Sequence, residues 1–279
     1  MLLKDFIRES SESLTGIYPI EEAQSVIFML CAFLLGTQRH THIVEPEYSI
    51  PEDKLDLLEK SVCRLKSGEP VQYVIGKAEF CSHSFNVGEG VLIPRPETEF
   101  LVSKAVQLRP SRVLDMCTGS GCIAWSLAAG LAGCGVVGVD ISDAALEYAV
   151  GQDIPIPEGH YAPVFLKMDV LKEPCFSEGE KFDMIISNPP YIKESEKSSM
   201  RINVLGFEPC EALFVPDEDP LVFYRAVKEW SDILLVPGGY CLVEINETLA
   251  VQTAEIFGQG SVIAPDFLGK DRYVIYKKP

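Results

Sequence analysis

Apolar residues recur at helical spacing through the first 75 positions, as Leu3, Phe6 and Ile7 and again as Leu55, Leu58, Val62 and Leu65. Steps of three and four place them on one helix face. Glu21-Glu22-Ala23, just past Pro19, opens a strongly apolar helix that Gly36 ends, and Ser67-Gly68-Glu69-Pro70 stops another begun after Pro51. Residues 1–75 are therefore expected to form a small helical domain. From Phe80 to Val87 the pattern shortens to extended pieces, and Gly88-Glu89-Gly90 makes a turn. Pro94 and Pro96 keep the next stretch extended, and Thr98 or Glu97 can cap a helix that begins near Phe100. Residues 76–98 are assigned to this extended or hairpin linker.

Beyond it, strand-like runs alternate with helical ones. The strands are Arg112 to Met116, Val136 to Asp140, Val164 to Met168, Phe182 to Ser187 and Tyr240 to Ile245, with a closing pair at Ser261 to Ala264 and Tyr273 to Lys277. Helical patterns such as Gly121 to Ala129, Ser142 to Val150 and Pro220 to Leu235 lie among the first five. Such alternation predicts an α/β fold over 99–279, a doubly wound and mostly parallel sheet with helices on both faces.

A chain of 279 residues is comfortable for two cores. Hydrophobic residues make up 47% and charged residues 23%, the balance of a globular protein rather than a disordered one. The formal net charge of -17, with no run of Lys and Arg, disfavours a protein that grips long stretches of phosphate backbone. Nine scattered cysteines without a Cys-x-x-Cys pair read as reduced thiols, not as a disulfide framework or a zinc site, so no metal is expected. The first residues meet acids too early for a secretory signal. The apolar run Val26 to Leu35 is about half of the roughly 20 residues a spanning helix needs, which predicts a buried core helix, while the reduced thiols predict a cytoplasmic protein.

In an open parallel sheet, ligands bind beyond the carboxyl ends of the strands. The first of those ends carries Asp115-Met116-Cys117-Thr118-Gly119-Ser120-Gly121, whose glycines let backbone approach a ligand closely. The second carries Asp140, about 25 residues past Asp115, where a carboxylate can accept from both ribose hydroxyls. The third carries Asp169, placed to accept from an adenine amino group while the N–H of Val170 meets the ring. Gly119-x-Gly121-x-x-Ala124 also fits a dinucleotide fingerprint. The acid that ends the first strand suits the cationic sulfonium of S-adenosylmethionine better than a pyrophosphate, yet the residues alone leave nicotinamide open.

Asn188-Pro189-Pro190-Tyr191 follows directly on a strand. Methyl transfer to an amide or exocyclic amine needs the nitrogen lone pair on the line of attack, although delocalisation makes it a poor nucleophile. Two acceptors aimed at the N–H groups hold that nitrogen and favour the developing cation. The Asn188 carboxamide oxygen and the Pro189 carbonyl are the candidate acceptors. Each proline fixes its own φ and extends the residue before it, giving a rigid turn. Tyr191 offers a flat face for a planar group. No histidine is placed to act as a base, and none is required if the proton leaves after transfer.

The Asp115 to Gly121 segment together with Asn188 to Tyr191 resembles class I methyltransferases that modify amino groups. Adenine and cytosine amino methyltransferases share the second motif, so it does not choose the substrate. Gly68 to Gly76, Leu92 to Glu99, and Phe207-Glu208-Pro209 before Ala212-Leu213 are similar to the release-factor glutamine methyltransferase family (PrmC, also called HemK). The similarity spans nearly the whole chain and is weakest in the first 60 residues and around Ile154 to Pro163. It implies a seven-stranded class I sheet and S-adenosylmethionine as cofactor. It implies as substrate the glutamine of the Gly-Gly-Gln motif in peptide chain release factors, with the helical domain recognising that partner. Neither membrane nor stable nucleic-acid binding is expected. The alternative is an amino methyltransferase of adenine or guanine in nucleic acid. Where this chain has Cys117 the family usually has Gly. Arg95 fits either an interdomain salt bridge or a role near the site, Glu194 to Arg201 a mobile solvated segment, and the four histidines solvent-facing or satisfied positions.

Overall fold

The computed structural model describes residues 1–279 as two units, Met1–Lys77 with Arg201–Phe207 and Ala78–Met200 with Glu208–Pro279. The first contains α1 (Leu3–Ser13), α2 (Ile20–Leu35), α3 (Thr41–Val44), α4 (Glu52–Lys66) and α5 (Val71–Ile75). Leu3, Phe6 and Ile7 meet Val26, Ile27 and Leu30 with Leu58, Val62 and Leu65 in one core. Gly36 ends α2 in the left-handed conformation that Gly adopts without strain. The other face of α2 leaves Met29 and Phe33 exposed, and no helix is long and apolar enough to cross a membrane. Arg64 clasps both carboxylate oxygens of Glu69 and donates to the Val74 carbonyl, which folds the chain back after α4. The returning segment, with a one-turn helix at Ile202–Leu205, is tied to α2 by the Arg201–Glu22 ion pair. By sequence that segment falls within residues 99–279, and the structure places it with the helices instead.

The second unit opens on the hairpin of β1 (Lys77–Phe80) and β2 (His83–Asn86). Then come α6 (Glu99–Leu108), β3 (Arg112–Met116), α7 (Cys122–Gly130), β4 (Gly135–Asp140), α8 (Asp143–Val150), β5 (Val164–Lys167), β6 (Phe182–Ser187) and β7 (Ile192–Lys193). The one-turn helix already described counts as α9, and β8 (Phe214–Val215), α10 (Val222–Leu234), β9 (Leu235–Glu244), α11 (Ala250–Phe257), β10 (Ser261–Pro265) and β11 (Asp271–Lys277) complete the chain. The sheet has seven strands in the order β10-β11-β9-β6-β3-β4-β5, parallel from β9 to β5, with β11 and β10 antiparallel. This is the doubly wound, mostly parallel sheet that the alternation of strands and helices predicts.

Alternation along the central strands feeds both faces. Val113, Met184, Ile186 and Leu242 point into one core with Leu101 and Trp125. Leu114, Ile185, Cys241 and Val243 point into the other with Tyr224, Val227 and Trp230. A strand buried on both faces reads as an unbroken apolar run, which is why β3 and β6 are legible in sequence. On α10 the buried Tyr224, Val227, Ser231 and Leu234 recur at steps of three and four.

Three features depart from expectation. The strand expected from Tyr240, β9, begins at Leu235 instead and runs through Pro237-Gly238-Gly239. A Cβ on Gly239 would lie 2.9 Å from the Asp183 carbonyl, so glycine there permits pairing rather than ending it. The β5–β6 connection carries no helix and is pinned by Trp230, whose indole N–H donates to the Lys172 carbonyl at 2.7 Å. Beyond the turn at Asn188, β7 and β8 form a small parallel pair, and Glu194–Ser199 is a 3-10 helix anchored by Ser195 on Asp217.

Candidate active site

The loops after β3, β4, β5 and β6 surround a cavity of ≈ 230 Å³ whose wall includes Cys117, Gly119, Asp140, Asp169, Val170, Asn188, Pro190 and Glu211. Three carboxylates line it and no Lys or Arg does. Gly119 has φ +55 with open space where a Cβ would stand, so backbone alone bounds the cavity there. Gly121 does something else. Its Cβ would fall 2.9 Å from Phe165 and 3.1 Å from Trp125, so it serves packing beneath the loop and not close approach to a ligand, a correction to the sequence reading. Thr118 and Ser120 are buried and lie outside the cavity wall.

Asp115 is also fully buried, and it supports the loop from below instead of lining the cavity. One oxygen accepts the Thr118 hydroxyl at 2.5 Å, and the other, Oδ1, has no donor. Burial pushes its carboxyl up to about 7, against the pull of Thr118 and the nearby Ala124 N–H. Asp140 reaches the cavity and accepts the Gly119 N–H at 2.9 Å and the Ser142 N–H at 3.0 Å. Burial raises its pKa while those N–H groups oppose the rise. Each of its oxygens keeps a lone pair for a further donor. Asp169 accepts the Leu171 N–H at 3.0 Å, and the adjacent Val170 N–H has no acceptor in the chain. Cys117 holds φ +59, a conformation glycine takes freely, and burial raises its thiol pKa well above the ordinary value.

At the end of β6, Asn188 forms part of the cavity wall and its Nδ2 donates to Thr98 Oγ1 at 3.0 Å. Thr98 in turn donates to Glu244 Oε2 at 2.7 Å, and Tyr191 donates to Glu244 Oε1 at 3.0 Å. Glu244 is 1% exposed at the end of β9. Burial raises its pKa, and the two hydroxyls and the charge of Arg272 pull the other way. Asn246 donates to the Tyr191 carbonyl at 3.2 Å, so the turn is held at its far end too. Pro190 lines the cavity, and no donor in the chain reaches the Pro189 carbonyl.

Two expectations change here. Thr98 makes no capping hydrogen bond to α6, because its hydroxyl is committed to Glu244. Tyr191 does not line the cavity, because its ring packs against the second core and burial with Glu244 raises its hydroxyl pKa well above the ordinary value. Sequence reasoning missed Glu244 and Asn246. The available signal was two polar residues, in Glu244-Ile245-Asn246, at the carboxyl end of a parallel strand. Arg95 pairs with the buried Glu208 at 2.6 Å, and Glu208 also accepts the Ile93 N–H at 3.1 Å. Both partners belong to the second unit, which settles the two readings of Arg95 in favour of neither an interdomain bridge nor a cavity residue. No histidine lines the cavity, and buried His42 Nδ1 has no partner.

Two family models match the chain, the PrmC N-terminal domain over residues 5–76 and the methyltransferase small domain over residues 95–205. The release factor glutamine methyltransferase of Bacteroides thetaiotaomicron is 40% identical over 94% of this chain and 95% of that one. The protein of the same description from Flavobacterium psychrophilum is 33% identical over 98% of each. Among solved structures, TrmN from Thermus thermophilus is 22% identical with a TM-score of 0.45, covering 65% of this chain and 48% of that one.

Proposed function

The chain belongs to the release factor glutamine methyltransferase family and is an S-adenosylmethionine-dependent methyltransferase, and from that premise we propose that it methylates the side-chain nitrogen of the glutamine in the Gly-Gly-Gln motif of peptide chain release factors in the cytoplasm. The helical unit, matched by the PrmC N-terminal model, is the proposed recognition domain for that partner. The observation that carries the reading is Asn188, an amide held by its nitrogen end in the wall of an acidic cavity.

The residues present fit the cofactor. A cavity with three carboxylates and no cation repels a pyrophosphate and accepts a positively charged ligand. Asp140 has lone pairs free for ribose hydroxyls, Asp169 and the unpaired Val170 N–H suit the edge of adenine, and Gly119 with Cys117 bounds the space for the methionine portion. When bound, S-adenosylmethionine supplies a methyl group carried on a positively charged sulfur. The chain's own part is to present the acceptor nitrogen. Asn188 Oδ1 and the Pro189 carbonyl accept the two N–H groups of a primary amide, which holds the nitrogen still and offsets positive charge as it develops. The proton then leaves an amide nitrogen already made acidic by its fourth bond, so no side chain has to remove it beforehand.

The test is incubation with methyl-labelled cofactor and, separately, release factor, transfer RNA, ribosomal RNA and DNA. Label is expected on the release factor alone, at the Gly-Gly-Gln glutamine. Asn188→Ala is expected to lower kcat at least ~100-fold with cofactor affinity nearly unchanged. Label on nucleic acid with none on release factor overturns the reading.

A further inference from the structure

A carboxamide presents an oxygen on one side and an NH₂ on the other, and the two ends are close to the same size. Packing alone therefore does not choose which end of Asn188 faces the cavity. The reaction cares greatly, since an NH₂ turned inward would confront the N–H groups of the substrate with another donor. Something in the fold has to break that near-degeneracy.

We propose that Thr98 and Glu244 are positioning residues for methyl transfer, forming a one-way hydrogen-bond chain that turns the acceptor end of Asn188 toward the substrate. The inference rests on the reading of Asn188 as an acceptor for the substrate amide. Its logic is a count of protons. An ionised Glu244 only accepts, and its two oxygens are taken by the hydroxyls of Tyr191 and Thr98, at 3.0 and 2.7 Å. Thr98 has a single proton, which is spent on Glu244, so toward Asn188 its oxygen only accepts. It accepts from Nδ2 at 3.0 Å, and Oδ1 is left facing away from Thr98. Each link fixes the direction of the next.

The chain is also rigid. Glu244 and Thr98 are 1% and 2% exposed, so water does not compete for either partner. Glu244 sits at the end of β9, which is paired with β6 up to Ser187, the residue before Asn188. Thr98 stands just ahead of α6, where its hydroxyl takes no part in capping. A buried hydroxyl spent on a side chain rather than on a free helix N–H fits a role in orientation.

The experiment measures kcat and KM on release factor, with equilibrium binding of S-adenosylmethionine, for the wild type and for Thr98→Val, Thr98→Ala and Thr98→Ser. Loss of the hydroxyl in the Val and Ala variants is expected to lower kcat about 10- to 100-fold, with Thr98→Ser within about threefold of wild type and cofactor affinity within about twofold throughout. Ala and Ser are nearly equal in size, so a role in packing alone would treat them alike. That pair still decides the matter if the Val variant fails to fold. Equal kcat for the Ala and Ser variants overturns the proposal, as does a loss that falls on cofactor affinity instead of kcat. A wild type that leaves release factor unlabelled defeats the functional reading itself, whereas an active wild type with alike Ala and Ser variants defeats only the positioning chain.

Discussion

Cys117 carries two opposing costs. In the left-handed region a side chain is disfavoured by about 1–2 kcal/mol relative to glycine, whereas glycine costs roughly 0.5–1 kcal/mol more chain entropy on folding. With φ +59 at this position, Cys117→Gly is expected to raise stability by up to about 1 kcal/mol in urea unfolding and to leave turnover within about threefold. A tenfold change in turnover would show that the thiol itself contributes to the reaction. The raised thiol pKa further predicts slow alkylation. Residue chemistry was legible where a residue type has one plausible use, as for Asn188 between a strand and two prolines. It was illegible for Thr98, since the same threonine fits a helix cap equally well. Its actual partner lies 146 positions away and is brought near only by the sheet.

At the scale of elements, the loop between β3 and α7 uses its two glycines for different ends. Gly121→Ala forces a Cβ against Phe165, Trp125 and Ala149 and is expected to cost about 2–4 kcal/mol of stability. Gly119→Ala meets open space, so its cost is limited to backbone strain of ~1–2 kcal/mol while cofactor affinity falls. Denaturation midpoints and cofactor titration of the two variants separate these effects, and the reverse ranking would show the glycine roles misassigned. Strands buried on both faces announced themselves in sequence, and so did α10. The first half of β9 did not, because Pro237-Gly238-Gly239 normally signals a break and only the approach of the Asp183 carbonyl explains it. The pair β7 and β8 was too short for any period to emerge.

For the molecule as a whole, the buried acids set how stability depends on pH. Native Asp115 holds its proton up to about pH 7, whereas the unfolded chain releases it near the ordinary value of 3.8. Between those limits the folded state binds more protons, so this contribution is greatest at low pH and is lost as pH rises through about 7. Asp140, raised in the same direction, adds to the trend. Wild type is therefore expected to lose a few kcal/mol more than Asp115→Asn between pH 5 and pH 8, at roughly 1.4 kcal/mol per unit of pKa difference, read from urea midpoints. Equal losses would show that Asp115 ionises freely in the fold.

The chain path of the helical unit has a further consequence. Its last contribution, Arg201–Phe207, follows more than a hundred residues of the other unit, and the side chains of Ile202 and Phe207 lie over Gly68. During synthesis the amino-terminal helices emerge early, yet their missing piece leaves the ribosome only with residue 207. The nascent protein must therefore wait, with the Glu22 carboxylate lacking its arginine, until all of β3 to β6 has been made. A single cut cannot liberate this unit intact, and closure of the amino-terminal fold becomes a late event in the birth of the enzyme.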